Sequence, residues 1–490
     1  VDDGGSIATT SEITAVGGSI TAGGDITSSN GLLRVLLDSN DSVGNITAGG
    51  NIFAGGGILS SADSSVTAAG DIFAPQVVAG ALIAGGKITV DNSSGRFGAG
   101  VLVDTIKAPT ISFINTSRVS PIYVGNGNDA FSPRDFTMTV GSLSSTGPAI
   151  PVLFANGLNA NLMGPSAPGS GGNVTLNITL DGLVVAPDGD FTSITANGGR
   201  FNADGPFTGG NGGVINVTAA GPIEIGASIE ATTGYVQSLL DSHGNGGTVN
   251  LTSTKDSIAV NSRIEVSSAD PGSAKLRRRS ATGGNIALKS GKPTGVAINL
   301  SNTSELLSLL DAAAPGPGGK VTILATGANS TASISGKIVA DRGTIDIRHS
   351  GDSGQISLVG RGESDQIEAH ADVIKVGALG NNGVLTVGNG LLSADTTLKL
   401  YSPGSNGTVN FVANVTLGGA STKVIAGNTV NIFNGVIVTV GGKTPTSVFT
   451  NNANYTGFGG NGSRTGTFKG AGANNPLPLN QAPAFDGPGG

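Results

Sequence analysis

Two glutamates occupy matching places in two similar phrases, Ile229-Glu230-Ala231 and Ile264-Glu265-Val266. If these phrases lie on neighbouring parallel strands, their carboxylates stand about 5 Å apart on one face. A carboxylate pair at that distance can run glycoside hydrolysis or hold a cation. It can equally be a solvated outward position, with Arg263 close by to ease the repulsion. Asp346 and Glu368 share the Ile-acid context without a clear common column. The three histidines, His243, His349 and His370, are scattered and show neither metal-ligand spacing nor a Ser/His/Asp order. Lys275-Leu276-Arg277-Arg278-Arg279 is the one basic cluster. It reads as a processing site, an anionic-glycan contact or a solvated loop. No nucleophile, base and electrophile come together in the pattern, so a non-enzymatic role is expected.

Calcium is the one cofactor the sequence raises, at two places. Gly125-Asn126-Gly127-Asn128-Asp129-Ala130-Phe131 resembles a calcium-binding nonapeptide of the RTX type, present here in one copy. Such motifs hold metal between consecutive copies, and Asn and Gly also favour plain tight turns. Asp188-Gly189-Asp190 could likewise bind calcium or simply form a Pro-Asp-Gly turn. Asn-x-Ser/Thr recurs, for example at Asn45, Asn216, Asn250 and Asn414. Several copies fall inside expected strands, so the pattern reflects a Thr- and Asn-rich outer face.

The elements that would position these residues are short and repeated. Gly212-Gly213-Val214-Ile215-Asn216-Val217 opens a unit that continues through Pro222-Ile223-Glu224-Ile225 and Ser228-Ile229-Glu230-Ala231. Three runs alternate apolar and polar residues, which turns one face of each inward. The opening phrase recurs at Gly171-Gly172, Gly246-Gly247, Gly283-Gly284 and Gly318-Gly319. Alignment gives an inward column of Val174, Ile215, Val249, Ile286 and Val321, and a second of Leu176, Val217, Leu251, Leu288 and Ile323. Between them runs an outward column of Thr175, Asn216, Asn250, Ala287 and Thr322. Runs of this length bury little alone but form a continuous core when coils stack. The expected fold is therefore all-β, a parallel β-helix (β-solenoid) with loop or helical excursions and a β-rich insertion.

Composition agrees. Gly is 82 of 490 residues with no collagen period, and its expected use is at positive-φ corners between strands. Aromatics are 4% and Trp is absent, so Val, Ile and Leu must carry the interior. Charged residues are 12% and the net charge is -7, which argues against nucleic acid as a partner. The absence of Cys excludes a disulfide framework and suits a large exported protein. No apolar run reaches the length of a membrane span. The chain opens Val1-Asp2-Asp3-Gly4-Gly5 within a β-like pattern, so the reading is a processed, extracellular segment.

Along the chain, residues 1–94 read as dense coils sharing phrases such as Ile46-Thr47-Ala48-Gly49-Gly50-Asn51-Ile52. These phrases, and the Gly-Gly-x-Ile/Val-x-Val/Leu coils of the middle region, resemble the repeats of filamentous-haemagglutinin-like exoproteins of bacteria. The resemblance implies a right-handed parallel β-helix, export by a partner pore, and a surface adhesive or structural role. The N-terminal secretion domain usual in such proteins is not found. Residues 95–170 break the rhythm with Phe97, Phe113, Tyr123, Phe131, Phe136, Phe154 and several prolines, and read as a β-rich insertion or side-layer. Residues 171–350 carry coils with long excursions, two of them helix-like: Tyr235–Ser242 and Ser304–Ala314. In the second, Asn302 with Glu305 suggests a cap and Pro315-Gly316-Pro317-Gly318 a stop. Residues 351–454 return to dense coils, and 455–490 read as a Gly/Asn/Pro-rich extended tail.

That tail carries Leu477, Leu479 and Phe485 at spacings a strand could use as anchors on a neighbouring subunit. The expected partners are other copies of the chain, joined end to end or through the tail, and surface glycans. The runner-up reading is a polysaccharide-binding or polysaccharide-degrading β-helix enzyme built on Glu230 and Glu265.

Overall fold

Alternating short runs with tight corners fold as the pattern requires. The computed structural model describes residues 5–36, 44–61, 63–91, 100–114, 123–124, 135–146, 152–156, 169–187, 189–199, 209–234, 244–268, 281–310, 316–360, 367–433, 436–441, 449–451 and 465–469. Each coil presents three faces. The first begins with Ile7–Thr9, the second with Ile13–Val16 and the third with Ile20–Ala22. Every one of these strands pairs in parallel with its equivalent one coil later: Ile7 with Ile26, Ile13 with Leu33, Ile20 with Ile46. The same rule carries on to Thr429–Ile432, Ile437–Gly441 and Phe449–Asn451 at the far end. The fold is a parallel β-solenoid, and no helix long and apolar enough to cross a membrane occurs among the described residues.

The two aliphatic columns lie inside, in the expected register. On the third face Val174, Ile215, Val249, Ile286 and Val321 are successive Cα partners, as are Leu176, Val217, Leu251, Leu288 and Ile323. All ten are buried, whereas the column between them is partly exposed. Register is held on the outside too. Asn250 Nδ2 donates to Asn216 Oδ1 across one rung at 2.8 Å. At the corners a side-chain ladder caps the strand starts: Asn51 N–H donates to Asp25 Oδ1, Asp71 N–H to Asn51 Oδ1, and Lys87 N–H to Asp71 Oδ1. This is why an Asp or Asn so often follows Gly-Gly. Its side chain accepts the N–H that the next coil presents one rung away.

The structure corrects three expectations. Positive φ explains few of the glycines. Among the described ones it occurs at Gly17, Gly57 and Gly295, and not in the Gly-Gly phrases of the middle region. There the cause is close approach of coils: a Cβ on Gly213 would lie 2.1 Å from Gly172 O, and one on Gly319 would lie 1.9 Å from Gly284 O.

The second correction concerns Ser304–Ala314. Glu305–Ser308 is a strand, paired with Arg263–Glu265 on one side and Lys337–His349 on the other. Leu306 stacks between Ile264 and Ile338 in the core, and this column outweighs the local helix signal. Residues 311–314 and the other helix-like stretch, Tyr235–Ser242, lie outside the described residues.

The third correction concerns residues 95–170, whose described strands are rungs of the solenoid and not a layer on its flank. Thr105–Ile114 pairs with Ala81–Ala84 and Lys87–Asp91 before it and with Phe136–Thr146 after it, all in parallel. Phe136–Thr146 in turn pairs with Asn173–Ile178. Two of the aromatics that broke the rhythm fill the same interior: Phe113 and Phe136 are fully buried, and Phe113 meets Phe191 with ring centroids 6.2 Å apart, whereas Phe154 is partly exposed. Pro109 sits at the bend of one continuous strand that serves two faces.

Candidate functional site

The acidic pair is brought together as its spacing implied. Glu230 and Glu265 are Cα partners on the second face, one rung apart. Their surroundings differ. Glu265 is 7% exposed, and its carboxylate pairs with the Arg263 guanidinium. Burial pushes the Glu265 carboxyl above the usual range, against the pull of Arg263 and Ser267; Glu230 and Glu305 add to the rise. Glu230 accepts a hydrogen bond from Asn197 Nδ2 at 3.3 Å, and Asn197 Oδ1 accepts from Thr232 N–H at 2.8 Å. Glu265 is thus not the outward solvated group that the pattern suggested. A carboxyl with a raised pKa beside a second carboxylate has the form of an acid/base pair. Here one member is tied to a guanidinium and the other to an amide.

The neighbouring column on this face alternates in charge. Arg263, Glu305, Lys337 and Glu368 are successive Cα partners. Arg263 Nε lies 3.9 Å from Glu305 Oε2, and Lys337 Nζ lies 3.3 Å from Glu368 Oε2. Asp346 stands on the third face instead and forms a two-pronged pair with Arg348 at 2.7 Å on each side. Asp346 and Glu368 therefore share no column, as expected. Sequence reading missed the alternation because the coils differ in length, so these residues fall at irregular intervals.

The remaining candidates disperse. His349 is fully buried where the third face turns to the first, with its Nε2 2.9 Å from Ser330 Oγ. Its Nδ1 accepts the Gly351 N–H at 3.1 Å, which places the proton on Nε2. Burial pulls its pKa down, so the ring is a neutral structural group. His370 lies on the second face as Cα partner of Val339 and Ser393. His243, the stretch Gly125–Phe131, Asp188, the basic cluster at 275–279, and Leu477, Leu479 and Phe485 lie outside the described residues. Among the described residues no group of three or more His, Asp or Glu is gathered as metal ligands.

Asp190, the described half of the Asp-Gly-Asp candidate, has a structural partner. Its Oδ2 accepts the Val184 N–H at 2.9 Å, beside the bridge between Val185 and Phe191. Burial raises its pKa to about 6, opposed by that hydrogen bond and assisted by Asp181. A carboxyl whose folded pKa exceeds its unfolded one binds protons more tightly when folded. Stability therefore falls as pH rises from about 4 to about 6. Asp190→Asn removes this dependence while keeping an acceptor for Val184. The variant should melt above the parent at pH 7.5 and level with it at pH 4. A parent that melts higher at pH 7.5 would show that the carboxylate is stabilised there, as by a bound cation.

A last column extends the outward Thr175–Thr322 series on the third face. Beyond Thr322 it runs Asp346, Lys375, Lys399, Lys423. The three lysines fall at a constant interval of 24 residues, each between two apolar or Thr neighbours, and that interval was the signal available in the sequence. No protein-family model, curated protein or solved structure matches this chain.

Proposed function

We propose that this chain is an extracellular structural or adhesive solenoid that assembles end to end into a surface fibre or sheath, in the manner of filamentous-haemagglutinin-like exoproteins. The observation that supports the reading is that each rung templates the next: on all three faces the strands pair in parallel with their equivalents one coil on, from Ile7–Thr9, Ile13–Val16 and Ile20–Ala22 to the last described rungs. A strand edge of this kind pairs with another chain wherever it is left uncovered. At the far end Thr465–Lys469 runs antiparallel along Ile437–Gly441, so the second face there already accepts an added strand. A head-to-tail contact of this kind is heterologous and propagates as a fibre unless rotation closes it. The phrases shared with such exoproteins and the Cys-free, low-charge composition support the same reading.

The test uses one residue. Ile7 N–H donates to Asp25 O of the following coil, so in a parallel ladder the N–H of Ala8 points away from that coil. Ala8→Pro removes that edge donor and leaves the internal ladder whole. In sedimentation and electron microscopy the parent should grow into long species as concentration rises, and Ala8→Pro should stay short. Deletion of 470–490 separates a tail contribution from the strand edge. A parent that remains monomeric at high concentration removes assembly from the function.

A further inference from the structure

The second and third faces solve the same electrostatic problem in opposite ways. On the second, Arg263, Glu305, Lys337 and Glu368 alternate in sign from rung to rung. On the third, Lys375, Lys399 and Lys423 stack as direct Cα partners. Like charges directly opposite one another destabilise a sheet. The one acid in that column, Asp346, is occupied by Arg348. Among the described residues no carboxylate lies within salt-bridge distance of any of the three ammoniums. Asp372 and Asp395, the nearest acids in sequence, stand at the corner leading into this face, and the Asp372 carbonyl accepts from Thr396 Oγ1. The result is a row of positive charge, one per rung about 4.8 Å apart, on a chain of net charge -7.

The adjoining column shapes the floor beside this row. It runs Arg348, Gly377, Tyr401 and Ile425. A Cβ on Gly377 would fall 2.3 Å from Tyr401 Cζ, so the ring lies across the glycine. Lys399 Nζ stands 4.6 Å from the centre of that ring. An aromatic surface thus borders the ammoniums on a flat strand face.

From this we infer that the third face between residues 373 and 425 binds a linear polyuronate laid along the solenoid axis. Such a polymer carries one carboxylate per sugar ring at a spacing of the same order as the rung, so its regular line of negative charge complements the lysine row. The ligand relieves repulsion that the fold leaves in place, and the Tyr401 edge offers an apolar contact to a ring. A nucleic acid fits less well. The face has one aromatic where base stacking wants several. The inference rests on the reading of the chain as a surface component, but binding by dispersed single rods can be measured whether or not they assemble.

The experiment is binding of the full chain to sodium polygalacturonate, in low and high salt, with the fully methyl-esterified polymer and oligo(dT) as comparisons. Lys375→Gln, Lys399→Gln and Lys423→Gln together should weaken binding at least about tenfold and flatten its salt dependence, with the melting temperature held or raised. The corresponding triple Arg variant should keep binding. Removing Lys87, Lys107 and Lys255 in the same way should leave binding intact, which separates the ladder from net charge. Equal binding of the esterified polymer, tighter binding of oligo(dT), or a triple Gln variant that binds like the parent would each overturn the proposal.

Discussion

Val249→Asp is expected to unfold the coils around residue 249. Val249 has no exposed surface and stacks between Ile215 and Ile286, also buried, one rung away on each side. Losing the buried side chain forfeits about 1.5–3 kcal/mol. An unpaired carboxylate among aliphatic columns costs several kcal/mol more, or neutralises itself by taking a proton. The total exceeds about 4 kcal/mol, in the range that marks a specific structural lesion. Solenoid stability is a sum over neighbouring coils, so the lesion should appear as a lower first transition and as fast hydrogen exchange near 215–290. The damage should ease at low pH, where the introduced carboxyl is neutral. Asn250→Asp, one residue away, is the contrast. It loses the donation from Asn250 Nδ2 to Asn216 Oδ1 on a partly exposed face, worth about 1 kcal/mol. Melts that fail to distinguish the two substitutions would mean that the inward and outward columns are wrongly placed.

What could be read in the sequence follows from where burial fixes register. The columns through Ile215 and Val217 were legible because a slip by one residue turns every aliphatic side chain outward. The Glu230–Glu265 pairing followed from the same registration, beside the core column through Ile229 and Ile264. The state of Glu265 did not follow, because Arg263 covers it from the same strand and the pattern records only alternation. The strand at Glu305–Ser308 was hidden by leucines at 306, 307, 309 and 310, which fit a helical face as well as a core column. The lysine row was hidden for another reason. After Gly343 the Gly-Gly phrase no longer opens each coil. Single long strands, Lys337–His349, Ile367–Ala378 and Gly390–Ser402, serve two faces each, so the landmark used for alignment is gone. The residues expected to drive assembly from the tail lie outside the described residues.

Gly284→Ala is the second substitution with a large expected effect, and it tests why the Gly-Gly phrase exists. A Cβ on Gly284 would lie 2.2 Å from Val266 O, 2.5 Å from Gly247 O and 2.6 Å from Val266 Cβ. These are backbone atoms and a Cβ, which cannot swing aside as the end of a long side chain would. The geometry repeats along the column: a Cβ on Gly247 would meet Gly213 O at 2.3 Å, and one on Gly343 would meet Gly319 O at 2.0 Å. Each glycine therefore lets one coil settle on the carbonyl of the coil before it. Adding a methyl group there must push neighbouring coils apart and stretch the ladder bonds on both sides, a cost of about 3 kcal/mol or more on the scale of overpacked cores. Gly18, in Gly17-Gly18-Ser19-Ile20, lies in a neighbouring column whose next member is Gly44: a Cβ on Gly44 would meet Gly18 O at 1.9 Å, whereas a Cβ on Gly18 would meet nothing within 4 Å. No described coil lies on that side of it. Gly18→Ala should be neutral or stabilise by about 0.4–1 kcal/mol, through the reduced freedom of the unfolded chain. The comparison is made by thermal melts at a concentration where the protein is dispersed. If the glycines served mainly to turn the chain at the corner, both substitutions would cost alike; if they serve the contact between coils, only Gly284→Ala is severe. Assembled material provides a further comparison. Should a second copy seat its last coil against the first coil, Gly18 acquires the kind of neighbour that Gly44 already has, and Gly18→Ala becomes harmful to fibres while harmless to single rods.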